Sequence, residues 1–219
     1  MTGAFSGEVD AVRRFENATA KERKRVAILI SGRGSNMRAL VEAAKAPDYP
    51  AEIVGVISNK ADAEGLAFAT AEGIPTAVRS LRDYPDKAAA DAAIDEVLRG
   101  WEAHIVCLAG FMRILSPDFV ALWQGRALNI HPSLLPLHKG LHTHDQALAS
   151  GATEHGCTVH FVTPGMDEGP SILQTRVPVL PGDTAESLAA RVLVAEHSTY
   201  PKALAMVARG EASFGPRQD

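Results

Sequence analysis

Apolar residues in this chain fall into two patterns that take turns: short β-branched runs, and longer stretches at helical spacing, with glycine or polar residues between them. Residues 25–30, Arg-Val-Ala-Ile-Leu-Ile, are a run of the kind buried on both faces of a parallel sheet. Ser31-Gly32-Arg33-Gly34-Ser35-Asn36 breaks the run, and 37–45 reads as a helix. A second strand over 52–57 precedes Ser58-Asn59-Lys60 and a helix near 62–71, and 75–78 reads as a short third strand. The Ala-rich stretch 86–101 sets Ala90, Ile94, Val97, Leu98 and Trp101 at helical spacing. A fourth strand, 104–108, ends at Ala109-Gly110. Ser116-Pro117 then supplies a cap and a first-turn proline for a helix over 118–123. The short apolar run Ala127-Leu128 leads a fifth strand that ends at Asn129.

Past a long loop, the pattern predicts a short helix near 145–149 and an alternating strand over 158–162. Residues 171–179 form a further strand, which Pro178 assigns to a sheet edge. Asp183-Thr184-Ala185-Glu186 resembles a capping arrangement for the last helix, and Pro201 should kink or interrupt that helix. Strand–helix alternation implies an α/β fold: a Rossmann-like, doubly wound, mostly parallel sheet with mixed and antiparallel strands toward the C-terminus.

Composition narrows the class. Of 219 residues, 46% are apolar, ample for one packed core, and we expect a single domain over 25–210. Residues 1–24 read as a flexible extension with an amphipathic turn near Val9-Asp10-Ala11-Val12, and 211–219 as a tail. A net charge of -4, with no long basic run, argues against nucleic acid or an anionic membrane as partner. No apolar run approaches the roughly 20 residues that span a bilayer, and the first 24 residues carry no secretory signal, so a cytoplasmic protein is expected. Cys107 and Cys157 both sit in strand-like segments, which suits a reducing compartment and inert thiols.

Three polar or Gly-rich segments fall at carboxyl ends of strands, where open α/β sheets bind ligands: 31–36, 110–115 and 129–133. Asn129 and His131, two apart on an extended run, project to one side, and Pro132 forbids continuation of a central strand. An amide beside an imidazole suits a reaction that develops negative charge on a carbonyl oxygen; a polar strand end capped by a turn would look the same. Gly32-x-Gly34-Ser35-Asn36 is either a tight turn or a phosphate loop at a helix start. It lacks the full dinucleotide and Walker spacings, so a mononucleotide or sugar phosphate fits better than NAD or ATP. His142-Thr143-His144 with Asp145 matches no zinc spacing, and no metal is expected. Asp167, in the turn-rich stretch 163–170, is either a turn former or a carboxylate that would orient His131 and favour its imidazolium.

Several stretches occur together and in order: Ser31-Gly32-x-Gly34-Ser35-Asn36, Ser58-Asn59-Lys60-Ala61-Asp62, Leu108-Ala109-Gly110-Phe111-Met112-Arg113-Ile114-Leu115, Asn-Ile-His-Pro-Ser-Leu-Leu-Pro at 129–136, Gly140-Leu141-His142-Thr143-His144, and Glu154-His155-Gly156-Cys157-Thr158-Val159-His160-Phe161-Val162. With them the chain resembles the phosphoribosylglycinamide formyltransferase family over about 25–208. The 129–136 motif alone indicates only the wider formyltransferase group; Gly-Leu-His-Thr-His and the Gly-rich loop narrow it.

The resemblance implies a catalytic trio of Asn129, His131 and Asp167. It implies that Gly34, Ser35 and Asn36 hold the phosphate of glycinamide ribonucleotide, and that Glu196 meets the glycinamide end. It also implies that Met112, Arg113, Ile114 and Leu115, with Asn129, receive the pterin of the co-substrate 10-formyltetrahydrofolate, and that Leu135-Pro136 is a cis peptide. Lys87 stands where relatives can carry Arg for a folate contact, and Leu193 where relatives offer a polar or basic group. The implied reaction is direct attack of the amine on the formyl carbon, without metal or covalent intermediate, in a monomer or homodimer. A methionyl-tRNA formyltransferase would add an RNA-binding domain and positive charge, and a formyltetrahydrofolate hydrolase an N-terminal regulatory domain. A silent folate- or nucleotide-binding module would not need the trio.

Overall fold

The computed structural model describes residues 22–215; the expected turn near Val9 and the last four residues lie outside them. In chain order the elements are β1 (Lys24–Ile30), α1 (Ser35–Ala44), β2 (Ala51–Ser58), α2 (Glu64–Ala71), β3 (Thr76–Val78), a 3₁₀ turn (Leu81–Asp83), α3 (Lys87–Gly100), β4 (Ile105–Leu108), α4 (Pro117–Leu122), β5 (Ala127–His131), α5 (Thr143–Ala149), β6 (Glu154–Phe161), β7 (Ser171–Pro178) and α6 (Ala185–Arg209). They build one seven-stranded sheet in the order β3-β2-β1-β4-β5-β6-β7. The first five strands of that order run parallel, and β6 and β7 are antiparallel. The expected α/β, doubly wound, mostly parallel sheet with antiparallel C-terminal strands is therefore the observed one.

The continuous apolar character of β1 has a direct cause. Val26, Ile28 and Ile30 enter a core layer shared with Leu40 of α1 and Leu204 of α6. Ala27 and Leu29, facing the other way, pack with Ile94 and Leu98 of α3 and Phe119 of α4. Because helices cover both faces, no position in β1 after Arg25 is left for a polar side chain. The chain runs from β1 through β2 to β3 on one side and then crosses to β4 on the other side of β1. In open α/β sheets ligands bind at such a reversal, here the carboxyl ends of β1 and β4.

Two expectations need correction. The strand expected over 158–162 starts four residues earlier, at Glu154. His155 and Gly156 hide its start, yet His155 is only 1% exposed, and a Cβ at Gly156 would collide with the carbonyl of Thr175 on β7. Glycine is thus required by the close approach of the two backbones. Second, Pro201 does not interrupt α6, which runs through it for 25 residues. The proline cannot donate to the carbonyl of His197. Buried Ala195 and Tyr200 before it, and Ala203 and Leu204 after it, hold both halves of the helix on the core. Tyr49 Oη also donates to the Pro201 carbonyl at 2.7 Å.

As expected, Pro178 closes an edge strand, Ser116 caps α4 with Pro117 in its first turn, and Thr184 caps α6, here through a box with Ser187. Phe214 lies edge-on to Phe161 at 5.7 Å between centroids, so the start of the expected tail is packed against the body. Among the described residues, no helix is long and apolar enough to cross a membrane.

Candidate active site

The end of β5 carries the first group of functional side chains. Antiparallel register sets Asn129 opposite His160 and His131 opposite Thr158, so β6 supplies the neighbours of both. His131, 6% exposed, has its Nδ1 3.4 Å from Asp167 Oδ2 and its Nε2 3.0 Å from the carbonyl of His138. Both ring nitrogens therefore face acceptors, an arrangement that suits the imidazolium, which donates at both. Asp167 sits in the turn between β6 and β7 at φ 54. Its Oδ2 also accepts from the backbone N–H of Gly140 at 2.9 Å. The turn is pressed onto β6, since a Cβ at Gly169 would strike the carbonyl of Phe161.

Asn129 is oriented by a residue that sequence reasoning passed over as a site residue. His160 gives its Nδ1–H to the Phe161 carbonyl at 2.9 Å, which leaves Nε2 to accept from Asn129 Nδ2 at 3.2 Å. Burial pushes the His160 pKa down, against the opposing pull of the Phe161 carbonyl and of Asp167, whose Oδ1 is 3.8 Å from Nε2. A neutral His160 can hold one amide N–H of Asn129 and leave the other for a ligand. The signal was present in β6, but it became readable only with the β5–β6 register.

The turn after His131 is braced from two strands. Thr158 Oγ1 donates to the Ser133 carbonyl at 2.7 Å and accepts from Leu135 N–H at 3.1 Å. Gln174 on β7 donates to Thr158 Oγ1 at 2.9 Å and to the Leu135 carbonyl at 2.8 Å. Leu135-Pro136 is cis, as the resemblance implies. Neither Thr158 nor Gln174 was singled out from sequence. Beneath this turn His155 Nε2 meets His144 Nδ1 at 3.2 Å. Burial first, and then the neighbouring histidines, push the His155 pKa down to about 4. No three His, Cys, Asp or Glu side chains among the described residues are grouped to hold a metal ion.

A second group lies where β1 meets α1. Gly34, at φ 71, begins α1; no side chain caps that helix and no acidic residue occupies its first turn. The backbone N–H groups there are open to an anion. A Cβ at Gly34 would come within 2.9 Å of Met37 Cε and 3.3 Å of Gly65 Cα, which explains the glycine where α1 and α2 begin side by side. Asn36 Nδ2 donates to Glu196 Oε2 at 2.7 Å, tying this loop to α6, and both residues are buried. Burial raises the Glu196 pKa while the Asn36 bond opposes it. Leu193, one turn before Glu196, is half-buried.

The third group follows β4. Met112 N–H donates to Ser31 Oγ at 2.7 Å, and Ser31 Oγ in turn donates to Asn59 Oδ1 at 2.6 Å, linking the ends of β1, β2 and β4. Met112 and Ile114 are 71% and 63% exposed, while Leu115 is buried and Arg113 turns inward to an ion pair with Asp91 of α3. Lys87 opens α3, one turn before Asp91. The trio is thus one cluster, Asn36 and Glu196 are a second, and 112–115 form a segment at the end of β4.

The chain as a whole is similar to known proteins. The formyl transferase family model matches residues 24–204. The chain is 46% identical to the phosphoribosylglycinamide formyltransferase of Escherichia coli K12, over 84% of this chain and 87% of that one. It is 54% identical to the bovine trifunctional purine biosynthetic protein adenosine-3 over 89% of this chain, and spans only 19% of that relative's length. The crystal structure of phosphoribosylglycinamide formyltransferase from Brucella melitensis superposes with a TM-score of 0.83 at 56% identity, covering 89% of this chain and all of that one. The chain belongs to the formyl transferase family and, within it, to the phosphoribosylglycinamide formyltransferases.

Proposed function

We propose that this chain transfers the formyl group of 10-formyltetrahydrofolate to the amine of 5'-phosphoribosylglycinamide, a step of purine biosynthesis. The observation that carries the reading is the His131 ring, set between the Asp167 carboxylate at 3.4 Å and the His138 carbonyl at 3.0 Å in the same cluster as the Asn129 amide. When the amine attacks the formyl carbon, negative charge develops on the formyl oxygen. That oxyanion is a stronger acceptor than the neutral His138 carbonyl, so it takes over the Nε2–H of His131. The free N–H of Asn129 is its second donor. Asp167, with water, keeps the imidazolium paired and helps move the proton from the attacking amine to the leaving N10.

Substrate placement is part of the same proposal. The ribonucleotide phosphate sits on the open N-terminus of α1 at Gly34, Ser35 and Asn36, with Glu196 toward the glycinamide end. The pterin is received by peptide groups of Met112, Arg113, Ile114 and Leu115 together with Asn129, and Lys87 serves the folate from the start of α3. No metal and no acyl-enzyme is required, since all the charge handling falls to these side chains. The test is tetrahydrofolate release with and without the ribonucleotide. Release that depends on the acceptor supports the reading, and equal release without it indicates a hydrolase.

A further inference from the structure

We infer that Asp91, on α3 and away from the reacting groups, is the positioning residue that presents the folate-receiving backbone, an inference that rests on the function proposed above. With Met112 and Ile114 pointing to solvent, the apolar anchors of this segment are Phe111 before it and Leu115 at its end, and its peptide groups between them depend on polar contacts for their orientation. Its first peptide is held by the 2.7 Å bond from Met112 N–H to Ser31 Oγ. At its far end, beside the packed side chain of Leu115, the polar contacts converge on Asp91. One carboxylate oxygen accepts from Ser116 N–H at 2.6 Å, and the other faces the Arg113 guanidinium in an ion pair whose side chains are 2% and 9% exposed. Phe111 lies under that guanidinium, 5.4 Å from its ring centroid.

Residues 113 and 116 are thereby pulled inward, and the peptides between them are displayed. A buried carboxylate within a helix is costly to desolvate, and an apolar side chain would pack α3 as well. The charge is therefore explained by what it holds. Asp95, one turn on, repeats the device for the next element by accepting from Trp123 Nε1 at 3.0 Å. The sequence offers no sign of this role, because Asp91 stands in an Ala-rich helix that reads as an ordinary amphipathic one.

The test is steady-state kinetics of Asp91→Asn with each substrate varied in turn. The amide can still accept from Ser116 but leaves the Arg113 charge unmatched. We expect the Michaelis constant for 10-formyltetrahydrofolate to rise about tenfold, with that for the ribonucleotide changing less than about twofold. Equal rises for both substrates, or no rise for the folate, would overturn the inference. Because the single variant can fail to fold, Asp91→Leu with Arg113→Met provides a second test: it removes the unmatched charge yet leaves Ser116 N–H without its acceptor. The inference requires the folate constant to stay raised in this double variant while its melting temperature returns toward that of the parent. Parental folate affinity in the double variant would mean that Asp91 only neutralises Arg113. Absence of acceptor-dependent turnover in the parent protein would instead defeat the proposed function itself.

Discussion

At the end of β5, Asn129, His131, His160 and Asp167 form a cluster whose polar atoms hold one another, with the two rings buried and Asn129 and Asp167 half-buried. At the ends of β1 and β4, by contrast, residues 34–36 and 112–115 offer backbone groups, with Met112 and Ile114 turned to solvent. The difference suits the two tasks proposed for these regions. Stabilising a developing charge needs donors fixed before the reaction begins, and a buried network fixes them. Gripping a phosphate or a pterin edge needs only N–H and C=O groups in register, which any side chain can accompany.

The largest effect should come from breaking the buried network. Asp167→Asn removes the carboxylate charge that faces His131, and His131→Asn removes the ring itself. Each should lower kcat by about 10²–10⁴-fold with small changes in both Michaelis constants. The double variant should be little worse than either single one, because the residues act as a unit. A double variant showing the product of the two losses would refute the coupled pair.

A smaller effect probes the histidines beneath the turn that follows His131. His155 titrates at about 4 when folded, against about 6.5 when unfolded. Above the unfolded value both states are neutral, and its contribution to stability is complete. Between about 6.5 and 4 the unfolded chain binds a proton that buried His155 refuses, so stability falls as pH falls, by about 2–3 kcal/mol over the window. Urea midpoints from pH 7 to 4 should record this fall, and His155→Gln should flatten it. An unchanged slope in the variant would assign the acid sensitivity elsewhere.

The smallest effect belongs to the backbone groups at the start of α1. Leu193 and Glu196 are three apart on α6, and Glu196 already reaches the loop through Asn36. Leu193→Lys should add a charge-assisted contact to the phosphate and lower the ribonucleotide Michaelis constant several-fold at low salt, with little change for the folate. An unchanged constant at low salt would mean that Leu193 does not border the phosphate.

The same contrast governs what could be read in the sequence. Asn129, His131 and the strand that carries them were legible because Pro132 truncates β5 right after them, a signal contained in a few residues. The Gly-rich start of α1 was legible for a similar reason. His160, Thr158, Gln174 and Asp91 were not, because their roles exist only once β6 is paired with β5 and β7 and α3 lies against the loop after β4. Pro201 misled in the opposite direction. The local rule weighs the lost backbone bond, but not the burial of α6 on both sides of it.

The central claim, direct transfer between two bound substrates by protein side chains alone, is tested by following the formyl carbon. With labelled 10-formyltetrahydrofolate, EDTA present and the ribonucleotide in excess, the account predicts one labelled formyl group on the ribonucleotide for each tetrahydrofolate released. Label recovered as free formate, or turnover lost to EDTA and restored by a divalent metal, would contradict it.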